Sequence, residues 1–180
     1  MYNYKKSEKE CLDYFQNDEL ATSVWLSKYA MKDKKGNYLE LDPSDMHFRM
    51  SKEFAKIEKK YGGKNALENI DIFYRFTEFS DIIPQGSVMS VLGNPFIIGS
   101  LSNCIVLPKL YDSYGGIAYA DEQLVHLMKR RCGVGLDIST LRPFNNPVSN
   151  SAGTSTGAIS FMERLVIQQE KLLKQVEEVH

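Results

Sequence analysis

The chain has 180 residues, 43% hydrophobic and 11% aromatic, with 22 basic against 23 acidic side chains and a formal net charge of -1. That balance excludes a disordered polyelectrolyte and lacks the basic stripe with which a dedicated binder holds a nucleic-acid backbone. Its apolar runs, such as Ile97-Ile98 and Ile105-Val106-Leu107, fall far short of the roughly 20 residues that cross a bilayer, and Met1 to Lys6 has no secretory pattern behind it; the expectation is a soluble, cytoplasmic protein with neither nucleic-acid nor membrane partners.

Residues 1 to about 80 read as helical. A first helix spans about Glu19 to Met31 and ends near Lys35-Gly36-Asn37. In Ser44–Tyr61, the apolar Met46, Met50, Phe54, Ile57 and Tyr61 recur at helical spacing, with Asp42-Pro43-Ser44 as the start and Gly62-Gly63 as the stop. Asn65 followed by Glu68 has the spacing of a cap and its third-position acid, so another short helix is expected to carry Ile70 and Phe73.

After Asp81 the texture changes. Pro84-Gln85-Gly86-Ser87 and Leu92-Gly93-Asn94-Pro95 are turn chemistry, and Ser100 to Leu107 reads as a strand stopped by Pro108. Asp112-Ser113 caps a helix running to Arg131, with Leu124, Leu127 and Met128 on its buried stripe, and Gly133 to Ile138 is the next strand. Strand, helix and strand make a βαβ unit, the beginning of an α/β layer or barrel. Asn145 to Gly157 is a loop rich in hydroxyls, leading into a helix from about Ala158 to the end. The three cysteines, Cys11, Cys104 and Cys132, form no C-x-x-C pair and cannot all be joined within the chain. Each is either a buried thiol or a redox residue whose partner lies elsewhere.

Several stretches match one family in order: Ser100-Leu101-Ser102-Asn103-Cys104, Asp112-Ser113-Tyr114-Gly115-Gly116-Ile117, Lys129 to Ser139, Leu141-Arg142-Pro143, and Asn150 to Gly157 through Phe161-Met162-Glu163-Arg164. They resemble the opening of the catalytic barrel of ribonucleotide reductase large subunits. Upstream, Asp18-Glu19-Leu20 through Lys28-Tyr29-Ala30 and Met46-His47-Phe48-Arg49 through Glu53-Phe54 resemble the helical domain before that barrel, so the resemblance covers about residues 10 to 164. It implies an α/β fold: a mainly helical N-terminal domain over 1–83 and the first strands and helices of a ten-stranded α/β barrel over 84–164, while residues 165–180, beyond the resemblance, read from their own pattern as an amphipathic helical tail.

The resemblance makes Cys104 one of the two thiols that reduce the ribose 2′ position, and a strand at Cys104 puts Ser102 on its face and Asn103 and Ile105 on the other. It sets Ser87, Ser90, Ser102, Asn103, Cys132 and Gly133 near substrate; Cys132 stands where the family usually has a small residue and is read as packing, not as the partner of Cys104. Gly133 and Gly135 match glycines where the backbone passes close to substrate, leaving N–H groups for its oxygens. Read alone, Cys104 is a buried structural thiol, the glycines are a tight turn, and Ser87 and Ser90 cap one.

Asp112 and Ser113 match the start of the helix that binds a deoxynucleotide effector, Arg142 on the following strand end would pair with its phosphates, and Asn150 and Thr154 belong to a loop lining that site. The plain alternative is an ordinary N-cap and a surface ion pair. No metal ligand is assigned and no cofactor is expected on this chain; the family's radical comes from a metal-containing second subunit or from adenosylcobalamin. The implied partners are a polypeptide carrying the rest of the barrel, a second copy through the effector-site helices, and a radical-generating subunit. The radical cysteine and second redox cysteine lie on later strands in the family, so the chain alone is expected to be inactive. Past Arg164 the match ends, and Leu165, Leu172 and Val179 recur every seven residues, a stripe for a partner helix. Two readings stay open: a component of a split or truncated reductase, or a non-catalytic nucleotide-binding or assembly module or isolated fragment.

Overall fold

The computed structural model describes residues 1–178, with side chains as far as Lys171. It divides into two compact units, Met1–Leu101 and Ser102 onward.

The first unit is helical. Helix α1 (Tyr4–Tyr14) starts at Asn3, whose side chain accepts from the Lys6 N–H, and α2 (Glu19–Lys28) starts at Asp18, which accepts from Ala21 N–H. Helix α3 (Pro43–Tyr61) is capped by Asp42, has proline in its first turn and stops at Gly62. Helix α4 (Asn69–Phe76) is started by Glu68 and Asp71 as a reciprocal capping box, and α5 (Gly86–Val91) follows.

Several expectations move. The helix expected from Glu19 to Met31 stops at Lys28. Asn65 lies in a 3-10 turn rather than at a cap, because Gly63–Asn65 first continues the exit of α3. The buried face of α4 is Ile72 and Phe76, while Ile70 is exposed and Phe73 half-buried. On α3, Met46 and Met50 are fully buried, but Phe54, Ile57 and Tyr61 are exposed. The core of Cys11, Trp25, Leu26, Ile72 and Phe76 closes around the first turns of α3, as far as Ala55. Beyond it the stripe is covered only in part: Phe54 still meets the Phe76 ring, with centroids 5.7 Å apart, while exposure rises through Ile57 to Tyr61. The first unit also runs on past the expected boundary at 83/84: α5, read as turn chemistry, is a helix whose last carbonyls are held by Arg49 of α3.

The second unit begins with β1 (Cys104–Val106), continues through α6 (Tyr114–Met128) to β2 (Gly133–Gly135), and ends in α7 (Gly157–Glu178). The two strands pair in parallel, Cys104 opposite Gly133 and Val106 opposite Gly135, so the expected βαβ unit is present. Both strands are shorter than expected because each pairs only over the three residues the other offers. Helix α6 ends at Met128 instead of Arg131, which sits in the left-handed region at φ 64° and turns the chain into β2. Its buried stripe is Ile117, Ala120 and Leu124, with Leu127 and Met128 half-buried. Leu110 and Leu141 close the core, and Ala158 and Phe161 of α7 pack against it.

The tail is not a separate element. Helix α7 runs unbroken across Arg164, Leu165 is buried within this unit, and Arg164 pairs with Asp121 of α6 at 2.6 Å. The side chain of Leu172, and Val179 altogether, lie outside the described residues.

Candidate functional site

Asp112, Ser113, Arg142, Asn150 and Thr154, chosen from separate stretches of sequence, line one cavity of about 220 Å³. Ser113 is the N-cap of α6, accepting from the Gly116 N–H at 3.0 Å. Asp112 therefore stands one residue before the cap, not at it. Its carboxylate instead accepts from Arg142 twice, from Nε at 2.7 Å and from the backbone N–H at 3.3 Å. Arg142 Nη2 donates to the Asp112 carbonyl at 3.2 Å and Nη1 to the Pro147 carbonyl at 3.4 Å, so one guanidinium joins the start of α6 to the loop. Arg142 lies on an irregular segment beyond Leu141 rather than at a strand end, because β2 stops at Gly135.

The loop is shaped by its own backbone. Val148 N–H donates to the Gly153 carbonyl, Pro147 and Thr154 form a bridge, and Asn145 and Ser155 are joined at 2.9 Å. At the tip, Asn150 Oδ1 accepts from Ala152 N–H at 3.0 Å. Gly157 has φ 80°, and a Cβ there would stand 2.8 Å from the Phe144 backbone nitrogen, so only glycine brings α7 this close. Ser155 and Thr156, just before α7, line the same cavity as Ser113 and Tyr114 at the start of α6. Two helix N-termini thus border one space, with the partial positive charge that favours an anion. Tyr114, Ile117 and Phe161 complete the lining. Phe161 stands in the sequence only as part of a family motif, with no role assigned to it; it meets Tyr114 through the pairing of α6 with α7.

On the sheet, exposure alternates as expected: Ser102, Cys104 and Val106 are exposed, Asn103 and Ile105 half-buried. A Cβ on Gly133 would lie 3.3 Å from Cys104 Sγ, so the missing side chain leaves room for the thiol. The Gly133 N–H, however, donates to the Asn103 carbonyl at 2.6 Å and is already used in the ladder. Cys132 is buried, with its thiol directed to the Gly133 carbonyl at 3.4 Å.

Ser87 and Ser90 belong to the first unit, on α5, and both are buried. Ser90 donates to the Gly86 carbonyl at 3.0 Å, so its hydroxyl is occupied by its own helix. Arg49 holds this helix from below: its Nε pairs with Glu40 at 2.7 Å, its Nη2 donates to the Met89 carbonyl at 2.9 Å, and its Nη1 donates to the Leu92 carbonyl. These partners are too distant in sequence for periodicity to reveal. Among the described residues, no group of three or more His, Cys, Asp or Glu could hold a metal ion, and no helix is long and apolar enough to cross a membrane.

Comparison with known proteins fits these observations. The family described as "Ribonucleotide reductase, barrel domain" matches residues 102–171, extending past Arg164, where the sequence motifs had stopped. The vitamin B12-dependent ribonucleoside-diphosphate reductases of Mycobacterium tuberculosis strains CDC 1551 / Oshkosh and ATCC 25618 / H37Rv are each 25% identical to it over 142 residues, 79% of this chain. The chain spans about 20% of the length of these curated relatives. The second unit, with its parallel β1–α6–β2 unit and the helix after it, is thus similar to part of the ribonucleotide reductase barrel domain, and most of the chain is similar to a portion of the B12-dependent reductases.

Proposed function

We propose that this chain is the N-terminal component of a split or truncated ribonucleotide reductase catalytic subunit, contributing one redox cysteine, part of the substrate site and a cavity for a deoxynucleotide effector. The observation that carries the reading is the convergence of Asp112, Ser113, Arg142, Asn150 and Thr154 on one cavity. The role of Cys104 rests on its exposed thiol beside Gly133. With a second thiol from a later strand it gives up two electrons and two protons; the ribose C2′–OH becomes C2′–H, the hydroxyl leaves as water, and the two sulfurs join. By the printed name of the relatives, the substrates are ribonucleoside diphosphates.

The same name favours adenosylcobalamin over a metal-containing second subunit as the source of the starting radical. The described imidazoles do not fit it as ligands. His47 is fully buried beside Phe76 and Phe79, and His126 sits on α6 with Glu122 at 3.8 Å. No step of this chain's role is routed through that group.

The chain acts with a polypeptide carrying the remaining barrel strands. Co-expression with that polypeptide, followed by a ribonucleotide reduction assay, tests the proposal: Cys104→Ser should abolish multiple turnover without loss of assembly, and Cys132→Ala should be mild. Equal turnover by the Cys104 variant and the parent rejects the redox assignment. A non-catalytic nucleotide-binding module is the second reading, favoured by one fact: the whole cavity lining comes from the second unit of this chain.

A further inference from the structure

Tyr114 is the first residue of α6, 64% exposed although large and aromatic, and it lines the cavity. Phe161, one turn into α7, lines it as well, and the two rings meet edge to face, with centroids 6.1 Å apart and planes at 73°. Phe161 is fixed from behind, since it packs on the core formed by Leu110, Ile117 and Leu141. An edge-to-face contact of this kind leaves ring surface on the exposed tyrosine open to a third flat group.

The charge in the cavity points the same way. Its lining holds one cation, Arg142, and one anion, Asp112, and they are bonded to each other. A polyphosphate therefore meets a single cation shared with a carboxylate, together with hydroxyls and two helix ends. A planar group laid on the aromatic pair adds a contact that phosphate alone lacks.

We infer that Tyr114 and Phe161 form the wall on which the nucleobase of the cavity's ligand stacks, and that Tyr114 makes the cavity select a nucleotide over a bare polyphosphate. The inference rests on the effector reading of the same cavity. Stacking on an aromatic side chain tolerates any base, so the pair sets affinity for nucleotides as a class, and the polar lining is left to tell one base from another.

Titration calorimetry on the full chain separates the two claims, with dATP and inorganic tripolyphosphate as probes and circular dichroism as the check on folding. Tyr114→Leu should weaken dATP binding about tenfold, in line with the usual worth of one stacked base, and leave tripolyphosphate binding unchanged. Tyr114→Phe should bind dATP as the parent does. If the parent binds dATP and Tyr114→Leu binds it equally well, the stacking wall is wrong while the cavity reading stands. If the folded parent binds neither probe, the cavity reading fails and this inference fails with it.

Discussion

Arg142 shows how a single side chain separates stability from binding. Its pair with Asp112 is about one-third exposed on both sides, and such pairs contribute only about 0–1 kcal/mol to stability. Arg142→Ala should therefore leave the thermal midpoint nearly unchanged, yet weaken deoxynucleotide binding more than Ser113→Ala does, since charge-assisted contacts to phosphate exceed neutral ones. His47 behaves in the opposite way. Burial pushes its pKa down to about 4, with nearby Asp42 opposing the shift, and neither ring nitrogen has a hydrogen-bond partner. Because the native state resists protonation that the unfolded chain accepts near pH 6.5, the stability this neutral histidine allows is complete above that pH. It falls as pH drops toward 4, by about 3 kcal/mol in all. Urea midpoints measured between pH 7 and 4 should show this loss, and His47→Leu should flatten it; an equal slope in the variant would assign the loss to other groups.

The elements depend on contacts that are local at their ends and distant in their middles. Two caps were legible because they are local: Asp42-Pro43 and Ser113 begin helices where the residues indicate, whereas the cap expected at Asn65 falls instead at Glu68. The stripe of α3 was legible only in part, because periodicity identifies a face but not how far along the helix the core extends; Met46 and Met50 are buried, while Phe54, Ile57 and Tyr61 are not. Helix α5 was hidden behind its turn-forming Pro84 and Gly86. It is fastened by the buried pair Arg49–Glu40, whose Glu40 Oε2 also accepts from Met31 N–H at 2.8 Å. Arg49→Ala would leave Glu40 buried without its cation and should destabilise the chain by about 3–5 kcal/mol, read from denaturant midpoints. At the cavity, Gly157→Ala should cost about 1–3 kcal/mol, because alanine disfavours φ 80° and its Cβ would meet the Phe144 backbone. A thermal midpoint equal to the parent's would show that this approach is not required.

For the molecule as a whole, family motifs carried what periodicity did not. The five effector candidates were assigned from motif order and meet in one cavity, whereas Tyr114 and Phe161 were not singled out because only the packing of α6 on α7 unites them. The same motifs stopped at Arg164, yet the family match continues to residue 171 within an unbroken α7. We propose that the second unit carries a deoxynucleotide effector site that also governs pairing of two copies, so ligand and dimer should each strengthen the other. The most direct test follows the dimer fraction by light scattering while a deoxynucleoside triphosphate is titrated into the parent chain and into Arg142→Ala, with calorimetry recording the binding. The account predicts that the parent binds and shifts toward dimer, and that Arg142→Ala loses the response; a demonstrably folded parent that takes up no deoxynucleotide would contradict it.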